Sequence, residues 1–74
     1  MKELYPRITV DATLQFGKPV IAGTRVPVEV IIGHVAVGDP IDKVMKEYRI
    51  TREDVLAALQ YASKIVAQEI VMVR

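Results

Sequence analysis

Apolar residues change their spacing once along this 74-residue chain, near Pro27. Ahead of it, Arg7-Ile8-Thr9-Val10-Asp11 alternates polar with apolar, the period of a half-buried strand, and Pro19-Val20-Ile21-Ala22 is a second β-branched run. Gly17 and Gly23 punctuate the two, so a hairpin is expected. Behind Pro27 the period becomes helical. Val28, Ile31, Ile32 and Val35 form one stripe of a helix with Pro27 as its first residue, ending near Val37 at Gly38. Asp39 reads as the cap and Pro40 as the first residue of a second helix, carrying Ile41, Val44, Met45 and Tyr48. Thr51 with Asp54 three residues on forms a variant capping box. It opens a third and longest helix with Val55, Leu56, Ala58, Leu59, Ala62, Ile65 and Val66 on a broad apolar face. The pattern predicts a mainly α domain: residues 1–26 a β-type extension, 27–68 a three-helix unit and 69–74 a tail. Three helices joined by short turns suit either a trihelical helix-turn-helix or a plain small bundle.

Composition adds one constraint. The chain is 51% hydrophobic and 26% charged, but one this short buries only roughly 60% of its unfolded surface, and small cores usually rely on a staple. It has no cysteine and a single histidine, His34, so disulfides and thiolate metal sites are excluded. A homo-oligomer, most simply a dimer, is the staple that remains. No stretch approaches the ~20 apolar residues of a membrane span, and the first ten residues lack a signal-peptide core. A cytoplasmic protein without membrane partners is expected.

Catalytic chemistry is poorly represented. Ser63 lies within the third helical pattern, His34 lies off the apolar stripe of the first helix, and the carboxylates are scattered or serve as caps. Gly17-Lys18-Pro19 looks like a fragment of a phosphate loop, yet Pro19 lacks the N–H such a loop uses, and no helix starts there. A binding module is expected, with no catalytic residues, metal, cofactor or small-molecule substrate.

Three surfaces carry the binding expectations, the first being the free edge of the hairpin. Lys43, Lys46, Arg49 and Arg52 recur every third residue and could face DNA phosphates, although residues 42–54 hold as many acidic as basic groups and the net charge of the chain is only +1. On the third helix Arg52, Glu53, Ala57, Gln60, Lys64 and Gln68 point away from the apolar face, and Gln60 is, with Arg52, a candidate reader of base edges. The carboxy-terminal Ile70, Val71, Met72 and Val73 are the candidate partner-binding segment. Arg25 either pairs with Glu29 four residues on or projects to a partner.

The run GKPVIAGTRVPV, from Gly17 to Val28, with the preceding RITVD and the following TREDVLAALQYA, resembles the DUF433 family of small prokaryotic proteins. Gly17, Lys18, Pro19, Gly23, Thr24 and Arg25 follow the order and spacing of that family, as does Tyr48 before the Thr51 cap. The resemblance covers about Arg7 to Ala62. It implies a homeodomain-like helix-turn-helix with a β-type amino-terminal extension. It also implies the role of an antitoxin whose partner is a PIN-domain ribonuclease toxin. The glycines and prolines of the motif have a structural reading of their own, at turns and helix starts.

Overall fold

A computed structural model describes the backbone of residues 1–73 and the side chains of residues 1–68. Its sheet has three antiparallel strands in the order β1 (Lys2–Tyr5), β2 (Ile8–Val10) and β3 (Val20–Ile21), one more than alternation predicts. KELY carries no alternating pattern, and β1 exists because a two-residue turn folds it back on β2. Pro6 supplies the first turn position and Arg7, with φ 72°, the positive-φ second, as a type II turn requires. β1 is short and charged, and its register shifts between Glu3 and Tyr5. Those three features discourage pairing with a further strand.

The opposite edge is closed within the chain. The Ile21 N–H donates to the Val26 carbonyl, the Val28 N–H to the Pro19 carbonyl, and Val20 bridges to Pro27. Thr24 locks the turn between them. Its N–H and hydroxyl both donate to the Ile21 carbonyl, its Oγ1 accepts from the Val26 N–H, and Gly23 supplies φ +77°.

Three helices follow: α1 (Val28–Ala36), α2 (Ile41–Tyr48) and α3 (Arg52–Val73). Two predicted starts shift by one residue. Pro27 and Pro40 have ψ of 139° and 147°, so each is the extended residue before its helix and not the first helical one. Asp39 is not the cap of α2, because its carboxylate is drawn back to His34 of α1. Gly38, at φ +95°, ends α1 as expected. At the end of α2 the same left-handed geometry falls on Arg49, φ 55°. The Thr51 box is complete: the Thr51 N–H donates to Asp54 Oδ2 at 3.0 Å and the Asp54 N–H to Thr51 Oγ1 at 3.1 Å. α3 passes through residues 68 and 69 without a break, so residues 69–73 of the predicted tail are part of the helix.

The core draws on every layer. Ile8 and Ile21 come from the sheet, Val28 and Ile31 from α1, Val44 from α2, Ile50 from the second turn, and Val55, Ala57 and Ala58 from α3. The sheet is therefore structural for the helices and not an appendage. Leu56 and Val66, expected on the apolar face of α3, are instead partly exposed, Leu56 by about a third and Val66 by about half.

Candidate functional site

In a helix-turn-helix, the outward face of the third helix enters the DNA groove. Here the β1–β2 turn lies on that face. The Tyr5 hydroxyl donates to Gln60 Oε1 at 3.2 Å, the Tyr5 ring tilts on Tyr61 with centroids 6.3 Å apart, and Lys64 Nζ sits 5.8 Å from the Tyr5 centroid. Arg7 Nη1 donates to Asp54 Oδ1 at 3.0 Å. Ala57, expected to face outward, is buried because this turn covers it. Gln60 is thus exposed but already engaged by Tyr5, and base reading through it would require the turn to give way. Between turn and helix lies a shallow notch lined by Tyr5, Pro6, Arg7, Glu53, Leu56 and Gln60, with Ala57 at its floor.

The basic residues remain open. Lys46, Arg49 and Arg52 are exposed and make no ion pair among the described residues, whereas Lys43 lies 3.6 Å from Asp39. Asp42 and Glu47 flank Lys43 and Lys46 on α2, so this face is mixed in charge.

The motif residues divide sharply. Gly17, at φ +78°, closes a 3₁₀ turn (Gln15–Gly17), and Pro19, Gly23 and Thr24 hold the edge of β3 as described. Lys18, and not Arg25, takes Glu29, at 2.7 Å. The guanidinium of Arg25 is free of ion pairs among the described residues. Ahead of Lys18 the chain does something its sequence does not announce. Gln15 and Phe16 both have positive φ, 49° and 58°, and the Phe16 side chain is 98% exposed. The turn is held by Gly17 N–H to the Leu14 carbonyl, Lys18 N–H to the Gln15 carbonyl, and Asp11 accepting from the Thr13 N–H and hydroxyl. Those Thr13 bonds hold the Asp11 carboxyl below its ordinary range.

His34 acquires partners that linear spacing concealed. Its Nδ1–H donates to Asp39 Oδ2 at 2.7 Å, and its Nε2 accepts from the Tyr48 hydroxyl at 2.8 Å, with the rings edge-on and 5.4 Å apart. A carboxylate can only accept, which places the proton on Nδ1. Glu47 Oε2 stands 4.0 Å from Nε2. The His34 hydrogen bond, helped by Lys43, holds Asp39 below the usual carboxylate range. The cluster ties the end of α1 to both ends of α2. Replacing Tyr48 by phenylalanine removes one of these bonds and is expected to cost about 1 kcal/mol in a urea melt.

Residues 8–62 match the profile of the family described as protein of unknown function DUF433. This chain belongs to the DUF433 family. Rv2018 from Mycobacterium tuberculosis, solved by X-ray crystallography, is similar in structure, with a TM-score of 0.65 and 27% identity over 70% of this chain. The match covers 24% of Rv2018, so this chain spans about a quarter of that protein's length. No curated protein matches the chain.

The DUF433 match ends at Ala62, next to Tyr61, the last of the described residues packed on the core. α3 continues to Val73. Within this continuation Ile65 is half-buried, and Val66, Ala67 and Gln68 are exposed. The predicted partner residues Ile70, Val71, Met72 and Val73 lie outside the residues whose side chains are described. Among the described residues, no helix is long and apolar enough to cross a membrane.

Proposed function

We propose that this DUF433 chain is the antitoxin of a toxin–antitoxin pair, a non-catalytic cytoplasmic module that holds a PIN-type ribonuclease through the continuation of α3. Family membership supports the role. The observation that carries it is the run of α3 beyond the body of the fold, with Val66 about half exposed. A helix that leaves its own core while keeping apolar residues suits insertion into a partner's groove. The covered face of α3 favours a protein partner over base reading.

A second reading, a DNA-binding regulator, is favoured by the open Lys46, Arg49 and Arg52. Contact would be to phosphates and would carry little sequence information. One set of proteins separates the two readings. Co-expressed with the product of the neighbouring gene, on this reading a PIN-domain ribonuclease, the full chain is expected to restore growth and to co-purify with it. A version lacking residues 66–74 is expected to lose capture while keeping its melting curve; retained capture would remove α3 from the interface. For the DNA reading, replacing Lys46 and Arg49 by alanine should flatten the dependence of log K on log salt by nearly two units. An unchanged slope excludes that contact.

A further inference from the structure

The chain holds three tyrosines, Tyr5, Tyr48 and Tyr61, and all are partly buried. Exposure does not set them apart. What separates them is the acceptor of each hydroxyl. Tyr5 donates to the amide oxygen of Gln60, which takes up no proton near neutral pH, and the Tyr61 hydroxyl has no hydrogen bond among the described residues. Tyr48 donates to His34 Nε2 at 2.8 Å, and a neutral imidazole nitrogen is a base. The other nitrogen of that ring gives its proton to Asp39 Oδ2 at 2.7 Å, which fixes the tautomer and leaves the Nε2 lone pair toward the phenol. A hydroxyl held on a base that a carboxylate orients is the arrangement by which proteins activate weak oxygen nucleophiles. His34 comes from the last turn of α1, Asp39 from the link and Tyr48 from the end of α2, so only the folded chain assembles it.

We infer that Tyr48 is an activated phenol and a covalent modification site, which accepts a neutral acyl group from an activated acyl donor. The phenol oxygen bonds to the acyl carbon while its proton passes to His34 Nε2. The bond between that carbon and the leaving group breaks, and the leaving group departs with the electron pair and collects the proton from His34. Charge selects an acyl group over a phosphoryl group. Asp39 lies 2.7 Å from one nitrogen of the ring and Glu47 4.0 Å from the other, and Lys43, 3.6 Å from Asp39, is the one cation paired with the cluster among the described residues. A phosphoryl group brings roughly −1.5 to −2 charges and would meet two carboxylates, whereas an acyl group brings none. His34 and Tyr48 both remain partly exposed, so a small donor reaches the phenol. Acylation also ends the Tyr48 donation to Nε2, and the tie between α1 and α2 loses a bond. This inference goes beyond the antitoxin reading and does not depend on it.

Brief treatment of the purified full chain with N-acetylimidazole, followed by peptide mapping in a mass spectrometer, tests it. The expected product is the acetyl ester of Tyr48, formed about 100-fold faster than the esters of Tyr5 and Tyr61, in the range that a positioned base contributes. His34→Gln keeps an oxygen that accepts the hydrogen bond of the phenol but not its proton. It is expected to bring Tyr48 down to the rate of the other two tyrosines, with unchanged helical circular dichroism. The pH profile supplies a readout that a merely structural histidine would not move. In the parent the Tyr48 rate should follow deprotonation of an imidazole and level off, while Tyr5 and Tyr61 follow deprotonation of the phenol itself and keep rising. If His34→Gln fails to fold, Asp39→Asn takes its place, because an amide that donates to Nδ1 moves the ring proton to Nε2 and should slow Tyr48 by about tenfold or more. Equal labelling of the three tyrosines, undiminished labelling of Tyr48 in the folded variant, or a Tyr48 profile that climbs with those of Tyr5 and Tyr61 would each overturn the proposal.

Discussion

Replacing Ile8 by alanine is expected to unfold the helices together with the sheet. Ile8 is fully buried among Ile31, Val44, Val55 and Ala58, so its truncation leaves a cavity that the three layers share. Large-to-small changes at such positions cost roughly 2–5 kcal/mol. At 0.05–0.15 kcal/mol per residue, a chain of this length is stable by roughly 4–11 kcal/mol, and small domains tend toward the lower end. The variant therefore retains little stability. Its urea midpoint, followed through the helical circular dichroism signal, should fall steeply in a single transition. Ile8→Val, which removes one methyl group, should cost only about 0.5–1.5 kcal/mol. Helices that kept the parent midpoint after Ile8→Ala would show the β-segment to be a separable extension.

Asp54→Ala is expected to produce the second-largest loss, because one carboxylate performs two tasks. Oδ2 completes the Thr51 capping box at the start of α3, and Oδ1 holds Arg7 in the turn that covers that helix. Loss of a cap costs about 0.5–2 kcal/mol. The Arg7 pair adds little of its own, since Arg7 is half exposed. A fall in melting temperature of roughly 4–8 °C per kcal/mol follows for a domain of this size. The same residue makes stability acid-sensitive. Burial pushes the Asp54 carboxyl up, but the Thr51 bonds and the Arg7 guanidinium outweigh it, and the net direction is down. With the folded value below the unfolded one near 3.9, the unfolded chain binds the proton more readily. The stabilisation is thus present above about pH 4 and disappears as pH falls through the folded value. Asp54→Ala should melt with a weaker pH dependence between about pH 5 and pH 2 than the parent, with the lowered Asp11 and Asp39 carboxyls supplying the dependence that remains. An equal dependence in both proteins would mean that Asp54 gains nothing from its partners.

Much of this could be read from residues close in sequence. Thr51 and Asp54 stand three apart, so their reciprocal bonds are local and visible in the letters. Gly38 stops α1 for the same reason, and Gly23 with Thr24 turns the chain wherever the rest of the fold lies. Other features depend on distant neighbours. KELY became a strand only because Ile8-Thr9-Val10 lay beside it. Asp39, flanked by glycine and proline, had every local mark of a cap, yet His34 offered its carboxylate a closer donor. His34 itself had a findable signal, since a histidine in the last turn of one helix and a tyrosine in the last turn of the next are brought together when a short link folds α2 back. Leu56 followed the helical period and still remained at the surface, because the β1–β2 turn covers Ala57 in its place.

Sequence alone determined where the helices lie, how α1 ends and α3 begins, and that the molecule belongs to DUF433. Each follows from short-range rules of period, capping and backbone geometry, or from a motif contiguous in the chain. Tertiary structure decided which surfaces are free. It placed the β1–β2 turn on the reading face of α3, drew Lys18 to Glu29, and left Phe16 in water and Leu56 partly exposed. Exposure depends on what packs from the far side of a residue, and no local spacing encodes that.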